Sequence, residues 1–85
     1  MDDARVQRAR LRAWRRGFRE ANLILGPFAD QHAQNFDDVE MNAFEGLLQE
    51  NDLDVYAWIL KSEPTPPEFE TPLLDRLRAF AAAGR

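Results

Sequence analysis

Apolar residues recur at three- and four-residue intervals along most of this 85-residue chain, and a glycine, proline or cap-type residue cuts the pattern every ten to fifteen residues or so. Segments of that length are marginal as isolated helices, so they hold only by burying their apolar faces on one another. No strand-like alternation, internal repeat or low-complexity tract competes with this reading. We therefore expect an all-α fold, a small bundle of about five short helices, with residues 1–85 forming a single domain. A chain of this size buries only about 60 to 65% of its unfolded surface, which leaves little room for a large substrate pocket.

The first helix is expected over Asp3 to Arg15, with Asp2 and Asp3 at the end where the helix dipole favours acids. Its apolar stripe of Val6, Ala9, Leu11, Ala13 and Trp14 is thin, and the spacing of Leu11, Trp14 and Phe18 directs those three at the body of the domain. The second helix runs from about Phe18 to near Ala33, with Phe18, Ala21, Leu25 and Phe28 on one face. Gly26-Pro27 predicts a kink between Leu23 and Pro27, or two shorter helices, because proline lacks an N–H and crowds the carbonyl four residues back. The continuation from Ala29 to Gln34 is polar and is expected to fray.

Asp37 and Glu40 make a capping box that opens a third helix, Asp38 to Glu50, with Val39, Ala43 and Leu47 in one row and Phe44 and Leu48 in the next. Asn51 or Asp52 caps a short fourth helix in which Leu53, Tyr56, Ala57 and Leu60 repeat and Trp58 and Ile59 widen the apolar face. Pro64, Pro66 and Pro67 exclude regular helix between Ser62 and Thr71. Thr71, followed by Pro72, restarts a last helix with Leu73, Leu74, Leu77, Phe80 and Ala81 as its stripe and Arg76, Arg78 and Arg85 in its C-terminal half.

Charge is distributed unevenly. The net charge is -4, yet seven of the eleven basic residues lie between Arg5 and Arg19, and none follows until Lys61. That polarity suits an acidic partner surface for the first segment and little affinity of the remainder for polyanions. The absence of cysteine rules out disulfides and thiolate metal sites and fits a reducing compartment, so a cytoplasmic location is expected. No apolar run approaches the roughly 18 residues of a membrane span. With Asp2 and Asp3 at the start and no hydrophobic segment after them, neither a secretory signal nor a transit peptide is expected.

Catalytic material is sparse. His32 stands alone in a polar stretch and reads as solvated. Asp37-Asp38 with Glu40, and Asp52 with Asp54, lack a spaced oxygen ladder and sit where helix caps belong. There is no glycine-rich phosphate loop. Trp14, Phe44, Tyr56, Trp58 and Phe80 fall on helical apolar stripes and are assigned to the core rather than to a stacking platform. An arginine-rich helix can contact RNA phosphates, but the acidic remainder and the lack of a nucleic-acid motif argue for no nucleic-acid partner. No catalytic, cofactor-binding or metal residue is assigned.

The segment Arg15-Arg16-Gly17-Phe18-Arg19-Glu20 places a glycine inside a dense arginine run with an acid three residues beyond it. Glycine favours a helix end, so one helix stops near Arg15 or Arg16 and the next begins near Gly17 or Phe18. One reading makes Gly17 an N-cap and Glu20 the third helical residue, half a capping box. The other has Gly17 admitting another protein's backbone while Arg16 and Glu20 present opposite charges to it.

Arg16-Gly17-Phe18-Arg19-Glu20 resembles the RGxxE motif of the succinate dehydrogenase assembly factors, small proteins that promote covalent attachment of FAD to the flavoprotein subunit. The likeness continues in order through Leu23 to Leu25, Pro27-Phe28, Phe44-Glu45 with Leu47-Leu48, Asp52, Asp54 and Trp58, and the closing Leu73-Leu74 helix. Phe18 stands where methionine or leucine is common, Ala21-Asn22 where a leucine and an acid are usual, and Lys61 where small residues are frequent. The resemblance implies a five-helix assembly chaperone, not an enzyme, that binds the flavoprotein of succinate dehydrogenase or fumarate reductase as a monomer. It implies that Arg16, Gly17, Phe18, Arg19 and Glu20 form the partner-binding site and that no FAD is held stably by the chaperone itself. A general protein-interaction module, antitoxin-like, and an arginine-rich RNA binder are the alternatives.

Overall fold

Asp2 caps the first helix: its carboxylate accepts the Ala4 N–H at 3.1 Å and starts α1 (Asp3–Trp14). In the computed structural model of the chain, which describes residues 2–84, α1 is followed by α2 (Arg19–His32), α3 (Asp38–Leu48), α4 (Asp52–Leu60) and α5 (Pro72–Ala83). Short 3-10 turns occupy Ala33–Asn35 and Pro67–Phe69, and the described residues contain no strand. Arg85, assigned above to the last helix, lies outside the described residues.

The caps read from sequence for the last three helices are formed. Asp37 accepts the Glu40 N–H at 2.8 Å while Glu40 accepts the Asp37 N–H at 3.1 Å, a complete capping box. Asn51 caps α4 through Leu53 N–H at 2.9 Å, and the Thr71 hydroxyl accepts Leu74 N–H at 3.2 Å with Pro72 at the first helical position. Each such cap contributes about 1 kcal/mol. α4 ends on Lys61 in the left-handed region, φ 58° and ψ 30°, with Lys61 N–H reaching Trp58 O and Ser62 N–H reaching Ala57 O. A β-carbon is disfavoured in that conformation, which gives a physical reason for a small residue at this position.

Proline does not divide the second helix. α2 is continuous through Gly26 and Pro27, in place of the two shorter helices weighed above. Leu23, whose carbonyl has no proline N–H to receive, lies on the exposed side of the helix. The end expected to fray is packed instead, because Ala29 and Ala33 are fully buried. Gly26 is required by a close approach: a Cβ there would fall 2.5 Å from the Trp14 ring, which lies over it. Trp14 Nε1 and Arg10 Nε both donate to Asp30, at 3.0 and 2.9 Å, so the same acid ties α1 to α2 twice.

Phe28 is the centre of the core, with Phe36, Phe44 and Phe80 rings around it at 6.0, 6.1 and 5.4 Å. Leu25, Met41, Leu47, Leu73, Leu74 and Leu77 fill the space between them. Several apolar faces differ from the periodicity reading. α1 buries Val6, Ala9 and Ala13, whereas Leu11 and Trp14 are about half exposed; α3 buries Met41 and leaves Val39 outside. α4 buries Val55, Trp58 and Ile59, not the Leu53 row, and Trp58 stacks on Phe69 from the proline-rich connection at 4.8 Å. His32 is half-buried against Phe28 at 4.9 Å rather than fully solvated.

Candidate functional site

The turn between α1 and α2 is held by a network that starts at Arg16. Its guanidinium donates from Nη1 to Leu48 O at 2.8 Å and from Nη2 to Glu50 O at 2.5 Å, and its Nε pairs with the Asp52 carboxylate. Leu48 ends α3, where no helical N–H remains to satisfy its carbonyl and the dipole favours a cation, and Glu50 lies in the connection just after it. Asp52 at the start of α4 also accepts the Gly17 N–H at 2.9 Å, and Asn22 Nδ2 donates to Arg16 O at 2.9 Å. One arginine thus locks the α1–α2 turn to the α3–α4 turn. Only 6% of its side chain is exposed.

The five residues of the motif therefore do not form one surface. Arg16 faces inward, so it and Glu20 do not present opposite charges side by side. Phe18 is half-buried and packs edge-on against Tyr56 at 5.2 Å. Gly17, Arg19 and Glu20 are exposed. The helix cap is Phe18, with no side-chain capping bond, so Glu20 is the second helical residue and the half capping box is not made. Gly17 has no positive φ, and a Cβ on it would meet nothing closer than Asp52 Oδ2 at 3.6 Å.

Glu20 stands at the edge of an apolar depression of about 240 Å³ formed with Leu23, Ile24, Tyr56 and Phe80. On the other side of the turn a groove of about 570 Å³ lies between α1 and the α3–α4 connection, lined by Arg8, Leu11, Arg12, Arg15 and Leu48 among others. The arrangement offers charge and shape for holding a partner; among the described residues no three His, Asp or Glu side chains come together as a metal cage. No helix of the described residues is long and apolar enough to cross a membrane.

Two supporting residues escaped the sequence reading. Asp52 looked like a cap, and its real task, receiving Arg16 and Gly17 from across the molecule, has no local signature. Asn22 stood out only as a departure from the resembled pattern, and the structure gives it a use in fixing the Arg16 carbonyl.

Comparison with known proteins agrees with the family resemblance. The family model described as flavinator of succinate dehydrogenase matches residues 7–81. Succinate dehydrogenase assembly factor 2, mitochondrial, of Drosophila grimshawi is 34% identical over 76 residues, 87% of this chain and 52% of that protein. The protein of the same name from Cryptococcus neoformans is 39% identical over 83 residues, 94% of this chain and 47% of its own length. The chain spans about half the length of the curated relatives it matches. With most of its residues inside the family match, the chain belongs to the flavinator of succinate dehydrogenase family.

Proposed function

We propose that this protein is an assembly chaperone that binds the immature flavoprotein subunit of succinate dehydrogenase or fumarate reductase and promotes covalent attachment of its FAD. Family membership carries the reading, and the geometry supports it with a rigid turn that exposes Gly17, Arg19 and Glu20 together. Neither backbone conformation nor internal packing needs a glycine at position 17, which leaves close approach by a second molecule as a physical use for one. Glu20 adds a carboxylate beside an apolar depression.

In this reading the flavin supplies the chemistry of the new bond and the partner supplies the residue bonded to it. The chaperone contributes position, holding the partner so that the two meet, and needs no catalytic set or stably bound FAD of its own. Arg16 belongs to the support of the site. Gly17, Arg19 and Glu20, with Phe18 behind them, make the contact. The protein acts as a monomer in the cytoplasm, a compartment consistent with its lack of cysteine.

The test is covalent flavin on a cognate flavoprotein subunit, read by fluorescence in a denaturing gel with wild-type protein, without it, and with Glu20→Ala. Labelling is expected with wild type and is expected to fall about tenfold or more with the variant, while the variant keeps wild-type helicity because the Glu20 side chain makes no hydrogen bond or ion pair among the described residues. Equal labelling in all three reactions would remove this reading.

A further inference from the structure

Nine arginines lie in the described residues, and five are committed inside the fold: Arg5 to Glu45, Arg10 to Asp30, Arg16 to Asp52, Arg76 to Glu40 and Arg78 to Glu70. Arg8, Arg12, Arg15 and Arg19 are exposed and make no ion pair or side-chain hydrogen bond among the described residues. Three of these four line the same groove. Arg8 and Arg12 on α1 and Arg15 at its C-terminal cap are spaced i, i+4, i+7, so they lie on one side of it along roughly 10 Å of helix axis. Like charges at that spacing disfavour the helix that carries them; the acids lining the groove are Glu50 and Asp52, the latter already paired with Arg16, and Glu45 nearby is held by Arg5. Leu11 lies between them on the same face, about half exposed, opposite Leu48.

We propose that this groove docks an extended acidic segment of a protein partner, with carboxylates meeting Arg8, Arg12 and Arg15 and one apolar side chain covering Leu11. Guanidinium forks suit carboxylates, and the leucine floor suits a peptide side chain. A nucleic-acid backbone fits less well, since it would gain nothing from Leu11 and would meet Glu50 and a net charge of -4. The partner's identity as the flavoprotein rests on the function proposed above; the chemistry of the groove does not. The groove would act mainly before the Gly17 to Glu20 contact is made, by steering encounter and fixing orientation.

The experiment uses the full chain and three probes: a fluorescein-labelled peptide of glutamates around a central leucine, the same peptide with glutamines, and the flavoprotein subunit. The acidic peptide is expected to bind and the glutamine peptide to bind at least tenfold more weakly. Arg8→Glu/Arg12→Glu is expected to weaken the acidic peptide at least tenfold and to slow flavoprotein association about tenfold at low salt, the difference closing as salt rises. Arg8→Gln/Arg12→Gln serves as the second variant and is expected to give the same direction with unchanged helicity. Retained peptide binding in both variants overturns the inference, as does displacement of the peptide by uridine homopolymer at lower concentration than by unlabelled peptide. If flavin labelling never depends on the chaperone but the peptide results hold, the functional reading fails and the groove stands. Normal labelling with an unchanged association rate in both variants overturns the groove alone.

Discussion

Arg16 and Arg78 solve the same problem at opposite ends of the chain, and they solve it with different tolerance for loss. Both side chains are enclosed, 6% and 12% exposed, and both reach carbonyls at a helix end, Arg16 at α3 and Arg78 at Trp58 O of α4 at 3.1 Å. Arg78 spreads its remaining donors over Glu70, Asp75 and the Thr65 hydroxyl at 2.7, 3.1 and 3.0 Å, all within the loop before α5 or on α5 itself. Arg16 relies on a single acid, Asp52, which also holds Gly17. Without Arg16, the Asp52 carboxylate loses its cation and the Leu48 and Glu50 carbonyls lose their side-chain donor together. A motif arginine can therefore serve the fold while its neighbours meet the partner.

Arg16→Ala should cost about 2 to 4 kcal/mol, the range for removing one member of an enclosed ion pair together with its hydrogen bonds to two backbone carbonyls, read as a lower urea midpoint with an unchanged slope. Arg78→Ala should cost about 1 to 2 kcal/mol, because Glu70 and Asp75 are exposed enough for water to replace the lost partner. It should also raise hydrogen exchange around the Pro67–Phe69 turn, on which Trp58 stacks through Phe69 and which Arg78 brackets through Thr65 and Glu70. If Arg78→Ala proves the more costly of the two, the redundancy argument is wrong.

Most of the punctuation of this fold was legible, because caps act locally: Asp37 with Glu40, Asn51, and Thr71 before Pro72 all sit where their backbone partners are two or three residues away. Faces were less legible. In α1 the stripe read from sequence held Val6, Ala9 and Ala13, which are buried, together with the bulky Leu11 and Trp14, which are not; small residues let two helices approach closely and leave the larger ones at the edge. In α4 apolar residues lie nearly all round, so periodicity could not choose between Leu53 and Val55. The Arg16 network was invisible because its acceptors are 32 to 36 residues away and two of them are backbone carbonyls. Arg19 and Glu20, by contrast, are exposed where the motif places them.

Lys61 tests the Arg78 side from the other direction. Its left-handed conformation follows the helix to whose last turn Arg78 donates, at Trp58 O, and the cap bonds to Trp58 O and Ala57 O are already present. Lys61→Gly should therefore stabilise the domain by about 0.5 to 1 kcal/mol, offset slightly by the greater freedom of the unfolded chain. Thermal melts of the wild type, Lys61→Gly and the double variant with Arg78→Ala would separate the two contributions. Additive effects would mean that the cap and the arginine hold α4 independently, while a smaller gain in the double variant would mean that the cap depends on Arg78.

The Arg5–Glu45 pair sets the weak end of the scale. Arg5 donates Nε and Nη2 to the two Glu45 oxygens at 3.0 and 2.6 Å and shares Nη2 with Asn42, yet both side chains keep about a quarter of their surface in solvent. The hydrogen bonds from Arg5, more than its charge, hold the Glu45 carboxyl below its ordinary range despite some desolvation. A carboxyl depressed by folding binds fewer protons in the native state, so its contribution is fully present above the unfolded value of about 4.3 and is lost as pH falls through the folded value. Glu45→Gln should then be slightly less stable than wild type at neutral pH, and the two should converge as urea midpoints are followed down to about pH 3. Added salt should shrink the neutral-pH difference, because an exposed pair is screened. The Arg16→Ala deficit should persist in that same salt. A deficit at Arg16 that fades with salt as fast as the one at Glu45 would mean that solvent reaches the motif clamp as freely as it reaches the surface, and the distinction between a supporting arginine and its contacting neighbours would lose its physical basis.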